Sequence, residues 1–157
     1  MKNKINKDYK NYRKQTQRVR GGLFRSEHGE TSEAVFMNSG YTFKTAEEAR
    51  DRFAGELDGY LYSRYGNPTV TMFEERMALN EGAESCFATA SGMAAVFASL
   101  MSCLKSGDEV VSSRALFGSC YHIIDQIIPR YNIITHLIDG TDLSQWEKHI
   151  TKKTKCV

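Results

Sequence analysis

From Cys86 onward the chain alternates short apolar runs with longer helix-forming stretches, and that alternation restricts its fold more than any other feature. Cys86 to Thr89, Glu109 to Ser112 and Asn132 to Ile138 read as strands, the last carrying Ile133, Ile134, Leu137 and Ile138. Ser91 is placed to cap an apolar helix through Leu104, with Gly107 ending it. Phe117 to about Ile128 reads as a second helix closed near Pro129, and Thr141 or Asp142 caps a third to about Ile150. Strands separated by a helix cannot pair as a tight hairpin. They need a crossover, which makes them parallel neighbours. The expected fold class is α/β with a mainly parallel sheet.

Upstream, residues 21–44 show little periodicity and read as an extended arm. Thr45 followed by Glu48 is a capping box, in which the hydroxyl bonds the third helical N–H and the carboxylate reaches back, so a short helix is expected to about Ala54. Gly55 and Gly59 break it. An aromatic segment, Tyr60 to Gly66, leads to Asn67-Pro68, an N-cap with proline in the first helical position. The helix that follows is predicted to reach Asn80, bury Val70, Phe73 and Met77 on one face, and end at Gly82.

With 157 residues the chain has length for one core, that is, one domain or part of one. The longest uninterrupted apolar run, Met93 to Ala98, is far short of the ~20 residues of a membrane span, and the charged start lacks a secretion signal. A cytoplasmic protein without membrane contact is expected. The four cysteines, Cys86, Cys103, Cys120 and Cys156, match no zinc spacing and read as buried free thiols; no metal is expected. The net charge of +2 divides into +7 over residues 1–20 and −5 over the rest. No stacking platform accompanies the basic arm, which reads as a solvated terminus with no nucleic-acid partner. His28, His122, His136 and His149 read as structural or surface residues.

Three segments carry chemistry. In Thr89-Ala90-Ser91-Gly92-Met93-Ala94-Ala95 a glycine opens an apolar helix, whose first turn offers unpaired N–H groups and a positive dipole end to a phosphate. In Tyr62-Ser63-Arg64 a phenol and a guanidinium, two residues apart, point the same way on an extended chain and can donate to one anion. In Ala115-Leu116-Phe117-Gly118-Ser119 an aromatic ring stands at a strand-to-helix junction, where it can stack on a planar cofactor. Singly, each admits a plainer explanation: an N-cap, a surface turn, a core ring. Neither a dinucleotide-binding nor a triphosphate-binding glycine fingerprint occurs.

Taken in order, Y-S-R-Y-G-N-P-T, A-S-G-M-A-A and L-F-G-S resemble the pyridoxal 5'-phosphate enzymes of cysteine and methionine metabolism, the cystathionine γ-synthase family. The resemblance runs from about Arg18 to Val157. Glu27 to Glu30, Glu33 to Phe36, Arg52 to Gly55 and Phe117 look most like the family's O-succinylhomoserine sulfhydrylases. Its synthases and γ-lyases usually carry a Pro-Pro segment at Val35 to Asn38 and a tyrosine at Phe117.

The resemblance implies the start of a transferase of the aspartate aminotransferase-like fold type I. Residues 1–60 would form a basic, dimer-contacting arm and residues 61–157 the first part of the cofactor-binding large domain. Tyr62 and Arg64 would bind the cofactor phosphate of a neighbouring subunit, Gly92 and Met93 that of their own, and Phe117 would stack on the pyridine ring. A homodimer, usually paired into a homotetramer, follows from such a shared site. The Schiff-base lysine, and the aspartate that pairs with the pyridine nitrogen, are expected beyond Val157, because Lys152, Lys153 and Lys155 match no such motif. The implied reaction replaces the succinyl group of O-succinylhomoserine by sulfide, giving homocysteine; the alternatives within the family are a cystathionine γ-synthase, a cystathionine γ-lyase or an O-acetylhomoserine sulfhydrylase, with other homoserine esters and cysteine as substrates. A non-catalytic remnant and a stand-alone phosphate-binding module are the readings of other classes.

Overall fold

The computed structural model describes Tyr9 and residues 11–157. Lys2, Lys4, Lys7, Asp8 and Lys10 of the basic arm lie outside the described residues. The remainder falls into two compact units that divide between Ala88 and Thr89.

In the first unit, helices α1 (Lys14–Arg20), α2 (Ala46–Ala54) and α3 (Pro68–Glu81) are joined by extended and turn segments. α1 gives helical order to residues of the basic arm, expected as a solvated terminus; the helix buries none of its own residues but packs on α3. The approach is close: a Cβ on Gly21 would fall 2.6 Å from Leu79 Cδ1, and one on Gly22, at φ +68°, 2.8 Å from Glu75 Cβ. The Arg76 guanidinium donates to the Gly21 carbonyl at 3.1 Å and pairs with Glu33. That contact also decides which face of α3 is covered. Met72 and Ala78 are buried, whereas Val70 and Phe73, expected inside, are 41% and 54% exposed, and Met77 is only half-buried.

The caps follow the sequence. Asn67 Oδ1 accepts from the Thr69 N–H at 2.9 Å with Pro68 opening α3, and Gly82 closes it at φ +66°. Thr45 Oγ1 accepts from the Glu48 N–H at 3.1 Å, but the Glu48 carboxylate takes the N–H of Lys44, at 2.7 Å, rather than that of Thr45. The capping box is displaced by one residue on its return arm.

The second unit is a three-stranded parallel sheet of order β2-β1-β3, with β1 Glu109–Ser113, β2 Ile134–Ile138 and β3 Thr154–Cys156. Val110 and Val111 face opposite sides of the central strand and both are almost fully buried, as in a sheet covered on both faces. α4 (Gly92–Cys103) packs Val96, Phe97, Leu100 and Met101 on a core of Leu104, Val110, Ile123, Ile124, Ile128 and Ile133. Leu104, in extended conformation, ends it, and Gly107 (φ +90°) belongs to the turn into β1 instead. The helix expected from Phe117 is three pieces: α5 (Gly118–His122), a π turn (Ile123–Ile127) and a 3₁₀ turn (Ile128–Tyr131). Pro129 lies inside that last turn, which ends at Asn132 in the left-handed region (φ +59°). α6 (Leu143–His149), capped by Asp142, precedes β3.

The expected strand at Cys86 to Thr89 does not form. A strand requires a neighbour for its ladder, and here the Ala88 N–H donates to the Glu74 carboxylate at 2.8 Å while Phe87 lies 84% exposed. The thiols also depart from expectation: all four are free, but Cys103 is exposed and the others only half-buried. The rings of His136 and His149 meet at 5.0 Å, tilted by 40°, and His136 Nε2 lies 3.9 Å from Glu109 Oε2.

Candidate functional site

Tyr62, Ser63 and Arg64 sit on a turn that one antiparallel bridge, Gly40 to Tyr62, ties to the preceding extended segment. The turn is closed by the Tyr62 carbonyl accepting from the N–H of Tyr65 at 2.8 Å. Tyr62 and Arg64 are both exposed, and the guanidinium lies 5.2 Å from the Tyr62 ring and 5.9 Å from the Tyr65 ring. Stacking of this kind leaves the guanidinium edge, with its fork of N–H donors, turned to solvent. Behind the turn, Tyr60 stacks on Tyr41 at 5.3 Å, and burial pushes the Tyr60 phenol above its ordinary pKa.

Ser91 caps α4 by accepting from the Ala94 N–H at 3.2 Å, and its own carbonyl accepts from the Thr89 hydroxyl at 2.8 Å. With Ala94 engaged, the N–H groups of Gly92 and Met93 are first-turn donors without a carbonyl one turn back. Nothing lies within 4 Å of where a Gly92 Cβ would be, so the approach to these donors is open. They stand at the positive end of a 12-residue apolar helix, a position suited to an anion.

Phe117 is the N-cap of α5 and is 72% exposed, so it is not a core ring. Beside it, Met93, Ala94 and Phe97 of α4 and Gly118, Ser119, His122 and Ile123 following Phe117 line one open apolar depression of ≈ 510 Å³. The structure therefore brings Met93 and the head of α5 to one cleft, and Tyr62 and Arg64 to one turn. The two groups belong to different units.

Sequence reasoning missed Ser63, Asn67 and Tyr41, which hold the Tyr62–Arg64 turn, and His122 and Ile123 in the cleft wall. The signal for Ser63 was available. The extended chain expected at Tyr62 to Arg64 is instead a turn over residues 63–65, so the pair's common direction comes from the turn and not from strand alternation, but a serine between two exposed residues was there to be read as their anchor. A phosphate cradle, a ring beside an open apolar cleft, and an exposed Tyr/Arg pair are the donor set that a planar phosphorylated cofactor requires, and the residues fit pyridoxal 5'-phosphate.

Residues 15–157 match the sequence profile of the Cys/Met metabolism PLP-dependent enzymes. An O-succinylhomoserine sulfhydrylase from Mycobacterium tuberculosis is 55% identical over 139 residues, which is 88% of this chain and 34% of that protein. A second, from Pseudomonas aeruginosa, is 48% identical over 137 residues, 87% of this chain and 34% of its own length. Among solved structures, a candidate O-acetylhomoserine (thiol)-lyase from Campylobacter jejuni, which carries an N'-pyridoxyl-lysine 5'-monophosphate, superposes with a TM-score of 0.84 at 31% identity. It covers 91% of this chain and 36% of that one. The chain thus spans about a third of the length of the curated relatives it matches, and with a profile match over nearly its whole length it belongs to the family of pyridoxal-phosphate-dependent enzymes of cysteine and methionine metabolism.

Proposed function

We propose that these residues are the phosphate-holding portion of an O-succinylhomoserine sulfhydrylase, which replaces succinate at the γ carbon by sulfide and releases homocysteine. The observation that carries the reading is the open start of α4, with two first-turn N–H donors beside a cleft lined by Met93 and Gly118, the residue after an exposed Phe117. Its specificity is supported by the identity to sulfhydrylases named for that ester.

When bound, pyridoxal phosphate supplies an electron sink for carbanions next to the amino group. The residues of this chain bind and orient it. Gly92 and Met93 donate backbone N–H groups to the phosphate of their own subunit's cofactor, while Tyr62 and Arg64 donate to the phosphate of a second copy, which makes the active unit a homodimer or a pair of dimers. Phe117 covers one face of the ring. It has no titratable group, so proton transfer falls to other residues. The lysine that carries the cofactor and the acid that faces the pyridine nitrogen are assigned outside residues 1–157. Among the described residues no helix is long and apolar enough to cross a membrane.

The test is the full polypeptide loaded with pyridoxal phosphate and supplied with sulfide and either O-succinylhomoserine or O-acetylhomoserine. Homocysteine formed faster from the succinyl ester is expected. Faster turnover of the acetyl ester would favour the second reading, an O-acetylhomoserine sulfhydrylase, which the Campylobacter likeness supports. Homocysteine from neither ester would refute both.

A further inference from the structure

We propose that Ser63 is a positioning residue for the phosphate arm, its hydroxyl fixing the turn from which Tyr62 and Arg64 reach the cofactor phosphate of a second copy. The inference rests on the assignment of Tyr62 and Arg64 made above. A serine hydroxyl has one hydrogen to donate and two lone pairs to accept with. At Ser63 all three are used. The hydroxyl donates to the Asn38 carbonyl, and Asn67 Nδ2 donates to Ser63 Oγ at 3.1 Å. Because the serine hydrogen is committed to Asn38, the Tyr41 phenol, 3.3 Å away, must be the donor in the third bond. The Ser63 backbone adds a fourth, its N–H donating to the Ser39 carbonyl at 2.8 Å.

These bonds converge from two places. Asn38 and Tyr41 belong to the extended segment before α2, Asn67 caps α3, and Asn67 Nδ2 also donates to the Phe36 carbonyl at 2.9 Å. Ser63 is half-buried between them while its two neighbours are exposed. Arg64, by contrast, makes its contacts among the described residues with the rings of Tyr62 and Tyr65. Its direction is therefore set by the backbone of the turn, and the turn is set by Ser63. An arm already ordered before it grips a ligand loses less conformational freedom in doing so, and that difference appears as affinity for the group gripped. The group here is the phosphate alone.

The measurement is the ratio of dissociation constants for pyridoxal and pyridoxal phosphate with the full polypeptide freed of cofactor. This ratio isolates the phosphate, and a general loss of stability does not move it. Ser63→Ala is expected to lower the ratio about fivefold, the scale of one lost hydrogen bond, and Ser63→Thr to keep it near wild type. Arg64→Ala should lower it further, and adding Ser63→Ala to Arg64→Ala should lower it by clearly less than Ser63→Ala does alone, since Ser63 acts through the arm and only Tyr62 of the arm is then left. An unchanged ratio in Ser63→Ala beside a lowered one in Arg64→Ala, or additive losses in the double variant, would overturn the inference while sparing the arm. An unchanged ratio in Arg64→Ala would remove the arm assignment itself. Should Ser63→Ala fail to fold, Tyr41→Phe breaks only the phenol's bond to Ser63; a smaller fall supports the proposal and an unchanged ratio refutes it.

Discussion

Gly92 is the first helical residue of α4, and this allows an unusually clean substitution. Proline suits that position because its φ is helix-compatible and the missing N–H has no intrahelical partner. The preceding Ser91 is already extended, at φ −158° and ψ 159°, as a residue before proline must be. Gly92→Pro should therefore leave the helix and the melting temperature nearly unchanged while deleting one phosphate donor. We expect pyridoxal phosphate affinity to fall about tenfold or more, as for a charge-assisted hydrogen bond; titration calorimetry reads it. A second single-residue prediction concerns Glu30. Its carboxylate accepts from the Ser26 N–H at 2.8 Å and the Ser26 hydroxyl at 2.7 Å, and these bonds hold its pKa down at about 2. A depressed carboxylate contributes fully above its unfolded pKa and loses its contribution as the pH falls through the folded one. The turn from Ser26 to Glu30 should stay closed down to about pH 4.5 and open only as the pH approaches 2. The Glu30 side-chain carbon shift, followed by NMR, should titrate with that low midpoint; an ordinary carboxylate midpoint would show that the bonds to Ser26 are absent in solution.

At the scale of elements, Asn67 joins two structures, capping α3 and bonding the Phe36 carbonyl and Ser63. Asn67→Ala should cost more than the ~1 kcal/mol of an ordinary cap, and should also loosen the Tyr62–Arg64 turn, visible as faster amide exchange at Ser63. Ile128 is fully buried in the sheet unit, and Ile128→Ala should destabilise the fold by about 2–5 kcal/mol in urea denaturation. The caps at Thr45, Asn67, Ser91 and Asp142 were legible because an N-cap is a bond between neighbours in sequence. Cys86 to Thr89 was misread because a strand is defined by its partner, and the Glu74 carboxylate took the N–H of Ala88 that a ladder would use. The covered face of α3 was hidden for a similar reason. Val70, Phe73 and Met77 have helical spacing, but Gly21 and Gly22 select the other face by allowing α1 within contact of Met72 and Leu79. The break of the Phe117 helix into α, π and 3₁₀ turns left no local signal beyond Pro129.

At the scale of the whole molecule, the alternation of apolar runs and helices was enough to give a parallel α/β sheet, and the family follows from the profile match over residues 15–157. The candidate residues were chosen by type and spacing, and the structure leaves Tyr62, Arg64, Gly92 and Phe117 exposed and puts Met93 in the wall of an open cleft. What residue types could not give was the bonding around Ser63, which depends on the segment before α2 and the α3 N-cap meeting at the turn. The central claim is that one cofactor phosphate is held by the α4 start of one copy and the Tyr62–Arg64 turn of another. Mixing the full polypeptide bearing Gly92→Pro with that bearing Arg64→Ala, under conditions that exchange subunits, tests it directly. Each mixed dimer would then contain one site with both defects and one with neither. Equilibrium dialysis should recover one tight pyridoxal phosphate site per mixed dimer where both parents bind weakly; weak binding at every site after exchange would show that each site is built within a single copy.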